Sequence, residues 1–211
     1  MASTSSVYGA NTDMPYAETD KADTQMPFYA ATKKANEAMA HSYAHLYGLP
    51  ITMFRFFTVY RPWGRPDMAH FKFTRAILAG EPIDIYNHGV MQRDFTYIDD
   101  LVNGIRLLID AVPPMDGKAQ SPQDSLSPVA PYRIVNIGNG DTVQLADFIA
   151  AIEVACGREA IRNLMPMQPG DVRATWADNR LLVDLTGYAP TTSVQEGIAR
   201  FVAWFREYYG V

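Results

Sequence analysis

Along the chain, apolar positions alternate between stretches with a helical period and short continuous runs. Residues 28–47 are alanine-rich, with Pro27 ahead of the first turn and Gly48 as a stop, and predict a long helix. Residues 51–57 (ITMFRFF) follow at once as an apolar, β-branched and aromatic run, the pattern of a buried strand. Small, hydroxylic residues 2–7 predict a strand ahead of the helix, and the polar stretch between them reads as loop up to Pro27. Strand, helix, strand places the chain in the α/β class.

Further on, a turn rich in Arg, Pro and Gly at 60–66 leads into a helix at 67–78, stopped by Gly80-Glu81-Pro82. Extended pieces are predicted at 83–86 and 93–98. A helix then opens at an Asp99-Asp100 cap with Leu101, Ile105, Leu108 and Ile109 on one face. Residues 113–131 read as a surface loop, because strand-like residues 133–137 resume directly. Thr142 is predicted to cap a helix ending at Cys156-Gly157, and a short helix at 177–186 stops at Gly187. Ser193-Val-Gln-Glu196 is a capping box opening a last helix, whose Val194, Ile198, Phe201, Val202 and Phe205 form a core-facing stripe.

Composition narrows this picture. The 211 residues are 48% hydrophobic, enough for one substantial core and a small second lobe. A net charge of −5 gives no electrostatic reason to expect nucleic acid or an anionic membrane as partner. The single cysteine, Cys156, excludes an internal disulfide, and its apolar helical setting predicts a buried thiol in a reducing, cytoplasmic compartment. No membrane-spanning run or export signal is evident. His41, His45, His70 and His88 lack metal-ligand spacing with Cys or carboxylates, so no metal is expected.

Candidate chemistry gathers near the start. Tyr29 and Lys33 lie four residues apart on the predicted helix and share a face. An ammonium beside a tyrosine favours the phenolate and suits it to general-base work. Ahead of them, Thr4-Ser5-Ser6-Val7-Tyr8-Gly9 supplies hydroxyls at a predicted strand end.

Together these residues resemble the extended short-chain dehydrogenase/reductase family, and within it the nucleotide-sugar epimerases. The resemblance covers nearly the whole chain. It implies a partial Rossmann sheet, doubly wound and parallel, in residues 1–65. A small α/β substrate lobe is expected mainly in 66–211, with some later segments returning to the Rossmann part. It implies NAD as cofactor, Thr4, Tyr29 and Lys33 as the catalytic set, and Tyr29, Lys33, Phe56 and Phe57 beside the nicotinamide. In Arg93-Asp94-Phe95-Thr96-Tyr97-Ile98-Asp99-Asp100, Arg93 is the implied pyrophosphate ligand, a role its planar fork suits. In Gln168-Pro169-Gly170-Asp171-Val172, Asp171 is the implied acceptor for the nucleotide ribose.

The resemblance also bears on the reaction. Nucleotide-sugar dehydratases of this family carry Asp-Glu directly before Val-Tyr-Gly, and UDP-glucuronate decarboxylases carry Glu there. Ser5-Ser6 stands in that place here, which implies simple 4-epimerisation. Thr58, followed seven positions later by Arg65, is similar to the UDP-glucuronate branch, where these groups hold the hexuronate carboxylate. Two positions differ from the usual pattern: Arg61 stands where Gly is common, and Trp63-Gly64 where Arg-Gln is common. No glycine-rich phosphate-binding turn precedes Thr4, so the expectation is the C-terminal two thirds of such an enzyme, inactive in isolation, with a homodimer as the implied assembly. The alternatives are an epimerase of another UDP-hexose, or a non-catalytic fragment that binds a UDP-sugar or serves in assembly.

Overall fold

The structure, a computed structural model, describes residues 1–168 and 172–211. Helix α1 spans Phe28–Tyr47, with Pro27 as N-cap and Gly48 in the left-handed conformation at its end. Strand β1, Ile51–Phe56, pairs in parallel with β6, Tyr132–Ile137, in register from Ile51 opposite Tyr132 to Phe56 opposite Ile137. Along the other edge of β1 run the first residues of the chain: Ser3 N donates to Phe54 O at 2.7 Å and Phe54 N to Met1 O at 2.8 Å. These parallel segments bring the end of β1, the end of β6 and Thr4 to one place.

Three smaller pairs complete the sheets. Strand β2, Thr58–Tyr60, runs parallel to β5, Phe95–Tyr97. Strand β3, Pro82–Ile85, runs parallel to β8, Ile161–Leu164. Strand β4, Gln92–Arg93, is antiparallel to β7, Val143–Gln144. The remaining helices are α2 (Ala69–Ala79), α3 (Ile98–Asp110), α4 (Leu145–Cys156), α5 (Arg180–Thr186) and α6 (Val194–Tyr209). The largest core lies among α2, α4 and α6 over β3 and β5, where Phe95 stacks on Phe148 at 3.9 Å. A second core packs Leu101, Leu108, Leu181 and Leu182 against Val135 and Ile137 of β6. A third sits under α1, with Ala40 and Ala44 on Met53 and Tyr132.

The predicted stripe on the last helix is buried throughout, Ser193 caps it by accepting from Glu196 N at 3.2 Å, and Cys156 is buried. Several local expectations are corrected. Of the strand predicted at 2–7, only the first part pairs with β1, and Ser5–Tyr8 turn into a 3₁₀ helix because the Thr4 hydroxyl accepts from Ser6 N and Gly9 takes φ 58°. Asp99 and Asp100 are not the cap of α3 but its first turn, behind Tyr97. Asp100 instead accepts from Tyr188 Oη and Thr192 N, both at 2.8 Å, fastening the approach to α6. Ile109 is exposed. Thr142 does not cap α4, which begins after Gln144, and α5 begins at Arg180 rather than at 177. The loop over 113–131 holds a buried ion pair, Asp124 with Arg133, that its polar composition hides. Strand β8 escapes sequence reading because all four residues are exposed and carry no apolar pattern. Among the described residues, no helix is long and apolar enough to cross a membrane.

Candidate active site

A cleft of about 340 Å³ opens where the Thr4 turn, the β1–β2 junction, the 61–68 turn and β4 converge. Its lining includes Thr4, Ser5 and Ser6, Phe57 and Thr58, and Arg65, Arg93, Tyr16 and Thr175. The structure therefore gathers Thr4, Phe57, Thr58, Arg65 and Arg93, which lie up to 89 residues apart in sequence, around one space. Among the described lining residues are two guanidinium groups and no carboxylate, in a chain of net charge −5. A guanidinium suits an oxyanion ligand because its planar fork can bind two oxygens at once.

Each wall has a local reason for its position. Phe57, directly after β1, lines the cleft, whereas its neighbour Phe56 packs against the second core and is not brought to it. Thr58 is fixed by its backbone, which donates to Asp94 O at 3.1 Å. Asp94, fully buried beside Arg93, accepts from Asn139 N at 2.6 Å and from Gly140 N and Ala177 N at 3.1 Å. Burial raises its carboxyl to about 6 despite those donors. It thereby anchors the strand carrying Arg93 to the segments at 138–140 and 177. Asp171 lies outside the described residues.

Tyr29 and Lys33 project from the first turns of α1 and do not line the cleft. Tyr29, half exposed, stands two residues beyond Pro27, which does line it, and is close enough to interact electrostatically with Arg65. Lys33 Nζ lies 5.9 Å from the centre of the Tyr29 ring and donates to Ala2 O at 3.3 Å. This contact ties the ammonium to the segment that carries Thr4.

Beneath these groups lies a buried polar layer. Glu37, one helical turn beyond Lys33, makes a bidentate pair with Arg55, and Ser3 Oγ donates to Glu37 Oε1 at 2.6 Å. Burial alone would push the Glu37 carboxyl up, but hydrogen bonds and charge from Arg55 outweigh it and hold the group below its ordinary value. The Arg55 guanidinium also covers the Tyr8 ring at 4.7 Å, and Tyr8 Oη donates to Asn136 Oδ1 at 2.8 Å. The Thr4 turn, α1, β1 and β6 are thus held together by one connected network.

The turn holding Arg65 is unusual. Trp63 takes φ 59°, a conformation that costs a bulky residue on the order of 1–3 kcal/mol. Its ring meets Trp204 at 5.1 Å and Tyr208 at 4.7 Å, and aromatic pairs contribute about 0.5–1.5 kcal/mol each, enough to offset that cost. Arg65 itself pairs with Asp67 through Nε, to Oδ1 at 3.0 Å, and through Nη2, a pair that does not engage Nη1. The Asp67 carboxyl is held down at about 2, chiefly by the Arg65 hydrogen bonds.

Sequence reading missed Tyr16 and Thr175. Tyr16 stacks on Tyr8 at 4.5 Å and reaches the cleft from a loop whose composition signals nothing. The Thr175 hydroxyl is buried at the cleft with no partner among the described residues, a fact available only in three dimensions. No cluster of metal-ligating side chains occurs among the described residues.

The sequence model of the NAD dependent epimerase/dehydratase family matches residues 1–138, well over half of the chain. The chain belongs to this family. The probable UDP-glucuronate 4-epimerase of Rhizobium meliloti is 57% identical over 99% of the chain and 62% of that relative. A UDP-glucuronate 4-epimerase of Arabidopsis thaliana is 46% identical over 99% of the chain and 48% of that protein. Among solved structures, UDP-glucuronic acid 4-epimerase from Bacillus cereus in complex with UDP-glucuronic acid and NAD superposes with a TM-score of 0.83 at 30% identity, over 99% of the chain and 61% of its own. The fold of this family member is accordingly the Rossmann-type α/β architecture of those enzymes. The chain spans less than two thirds of the length of these relatives.

Proposed function

We propose that the cleft is the nucleotide-sugar site of a UDP-glucuronate 4-epimerase. The observation that carries this reading is the pairing of Arg65 and Arg93 around a hydroxyl-lined cleft with no carboxylate among its described residues. A UDP-hexuronate presents two separated anions, a pyrophosphate and a carboxylate, and two guanidinium groups match them. Arg93 takes the pyrophosphate, and Arg65 with Thr58 takes the sugar carboxylate. Asp171 is assigned to the nucleotide ribose. Relatives named as UDP-glucuronate 4-epimerases support the choice of a uronate over a neutral hexose.

In this reading Thr4 hydrogen-bonds the sugar 4-hydroxyl and Tyr29 removes its proton, while Lys33 keeps positive charge beside the phenol. A bound NAD would supply the hydride acceptor and donor for sugar carbon 4. Tyr29 and Lys33 would hold a dinucleotide ribose: they share one face of α1, one offering an exposed phenol and the other an ammonium. Ser5 and Ser6 supply no carboxylate for elimination or decarboxylation, so the oxidised sugar is reduced again.

The test is titration calorimetry of the 211-residue chain with UDP-glucuronate. Saturable binding, lost in Arg93→Ala and weakened in Arg65→Ala, is expected, and absence of binding to the unaltered chain would sink the proposal. With no glycine-rich phosphate turn in these 211 residues, the chain alone is expected to bind without forming UDP-galacturonate when NAD is added.

We further propose a second copy of the chain as partner of α1. Met39, Tyr43, Leu46 and Tyr47 form an exposed apolar stripe on that helix, a surface suited to self-association. Light scattering that returns a monomer at micromolar concentration would overturn it.

A further inference from the structure

Two adjacent residues fasten the turn ahead of Arg65 to two different helices. The Trp63 ring lies against Trp204 and Tyr208 of α6, which themselves stack at 5.5 Å. Gly64 lies on His70 of α2: a Cβ added there would stand 3.1 Å from His70 Nε2 and 2.9 Å from Arg61 O. His70 is buried and packs edge-on against Phe201 at 4.6 Å, so it cannot yield. The partner of the Arg65 side chain, Asp67, belongs to the same turn. That ion pair moves with the turn and does not fix it to the body of the protein.

We propose that Trp63 is a positioning residue for carboxylate selection: its stacking on α6 holds the turn so that the Arg65 guanidinium stands at the mouth of the cleft. This inference rests on the reading of the cleft as a nucleotide-hexuronate site. Arg93 is set by a different element, β4, and by the Asp94 anchor behind it. Loosening the turn therefore affects recognition of the sugar acid while leaving recognition of the pyrophosphate in place.

Trp63→Gly separates the stacking from the backbone conformation, because glycine adopts φ near 59° without strain. Trp63→Phe keeps an aromatic ring on Trp204 and Tyr208. Calorimetry with UDP-glucuronate and UDP-glucose is expected to show Trp63→Gly binding the uronate at least about tenfold more weakly, with UDP-glucose affinity within about twofold of the unaltered chain and Trp63→Phe close to it. Equal loss for both nucleotides, or no loss for either, overturns the proposal. Hydrogen exchange of peptides covering 61–68 supplies a second measure that needs no ligand. Exchange there is expected to accelerate in Trp63→Gly and not in Trp63→Phe, and unchanged protection overturns the clasp. Should the unaltered chain bind neither nucleotide, the nucleotide-hexuronate reading fails and Trp63 loses its role in selection, while the exchange data still decide whether it holds the turn.

Discussion

Glu37 and Arg55 face each other in a bidentate ion pair, Oε1 to Nε and Oε2 to Nη2 both at 2.9 Å, with neither side chain more than 2% exposed. The pair joins the helix that carries Tyr29 and Lys33 to β1, and through Ser3 to the turn that carries Thr4. Removing Glu37 leaves Arg55 buried without its counterion, and removing Arg55 leaves the buried Glu37 with only the partly exposed Lys34, at 3.2 Å. Glu37→Ala or Arg55→Ala is therefore expected to cost about 3–5 kcal/mol in urea unfolding. Replacing both by apolar residues of similar volume, Glu37→Leu with Arg55→Met, is expected to cost much less than the two single losses together. A single-variant loss below about 1 kcal/mol would show that the pair is not desolvated in solution.

Glu18 makes stability depend on pH in the opposite sense from an ordinary paired carboxylate. Its Oε1 accepts from Asn136 N at 2.8 Å, but burial dominates and raises its carboxyl from 4.5 to about 8. The folded protein binds this proton more tightly than the unfolded chain, so the stabilisation is full below the unfolded value and is lost as pH rises through about 8. Asp94, raised to about 6, acts in the same direction at lower pH, and His70, depressed to about 4 by burial, acts in the reverse direction below 6.5. Melting temperatures between pH 6.5 and 8.5 lie above most of the titration of both groups, and the Met1 ammonium, lowered from 8.0 by burial, acts against Glu18 there in either protein. They are expected to fall with rising pH in the unaltered chain and to stay flatter in Glu18→Gln. Parallel slopes in the two proteins would refute the assignment.

The helices and the buried strands were legible because their signals are local. Pro27, Gly48 and the alanine pattern between them bound α1, and the Ser193 capping box with its apolar stripe fixes α6. Tyr29 and Lys33 could be paired from spacing alone, since four residues place them on one face. What was not legible depends on contacts between distant segments. Tyr16 and Thr175 reach the cleft only because the 10–27 loop and the 173–175 segment dock on β4 and β6, which no nearby residue announces. Strand β8 forms with four exposed residues, held by backbone pairing to β3 rather than by an apolar pattern. Residues 5–7 read as strand because a 3₁₀ turn and a strand end share the same small, hydroxylic composition.

Gly197 allows α6 to approach β2. A Cβ at that position would stand 2.1 Å from Tyr60 Oη and 2.7 Å from its ring, and Tyr60 is fully buried with its hydroxyl donating to Ser193 O at 3.3 Å. Gly197→Ala is expected to destabilise by about 1–3 kcal/mol, because an extra methyl in a packed interior forces backbone shifts. Adding Tyr60→Phe removes the nearest atom and is expected to recover part of that loss. Thermal unfolding of the single and double variants measures both, and an unaffected Gly197→Ala would mean that α6 sits farther from β2 in solution.

Asp124 and Arg133 hold the long loop to β6. Their side chains are fully buried, with Nε to Oδ1 at 2.8 Å and Nη2 to Oδ2 at 3.0 Å, and Arg133 Nη1 donates further to Ala111 O at 3.2 Å. The loop thus closes on itself: its beginning, its middle and the strand after it meet at one guanidinium. Asp124 also accepts from the backbone N–H groups of Gln120 and Leu126, so its removal frees the loop as well as the charge. Lys118 is the one lysine or arginine within 113–131, and its side chain is exposed. Trypsin is therefore expected to cut after Lys118 at least about tenfold faster in Asp124→Ala, because local opening admits the protease. Asp124→Asn retains the acceptor oxygen but not the charge and is expected to fall between the two. An unchanged cleavage rate in Asp124→Ala would place the anchor of the loop elsewhere, at Ser127 and Val129, which His41 and His45 of α1 meet at 2.8 and 2.7 Å.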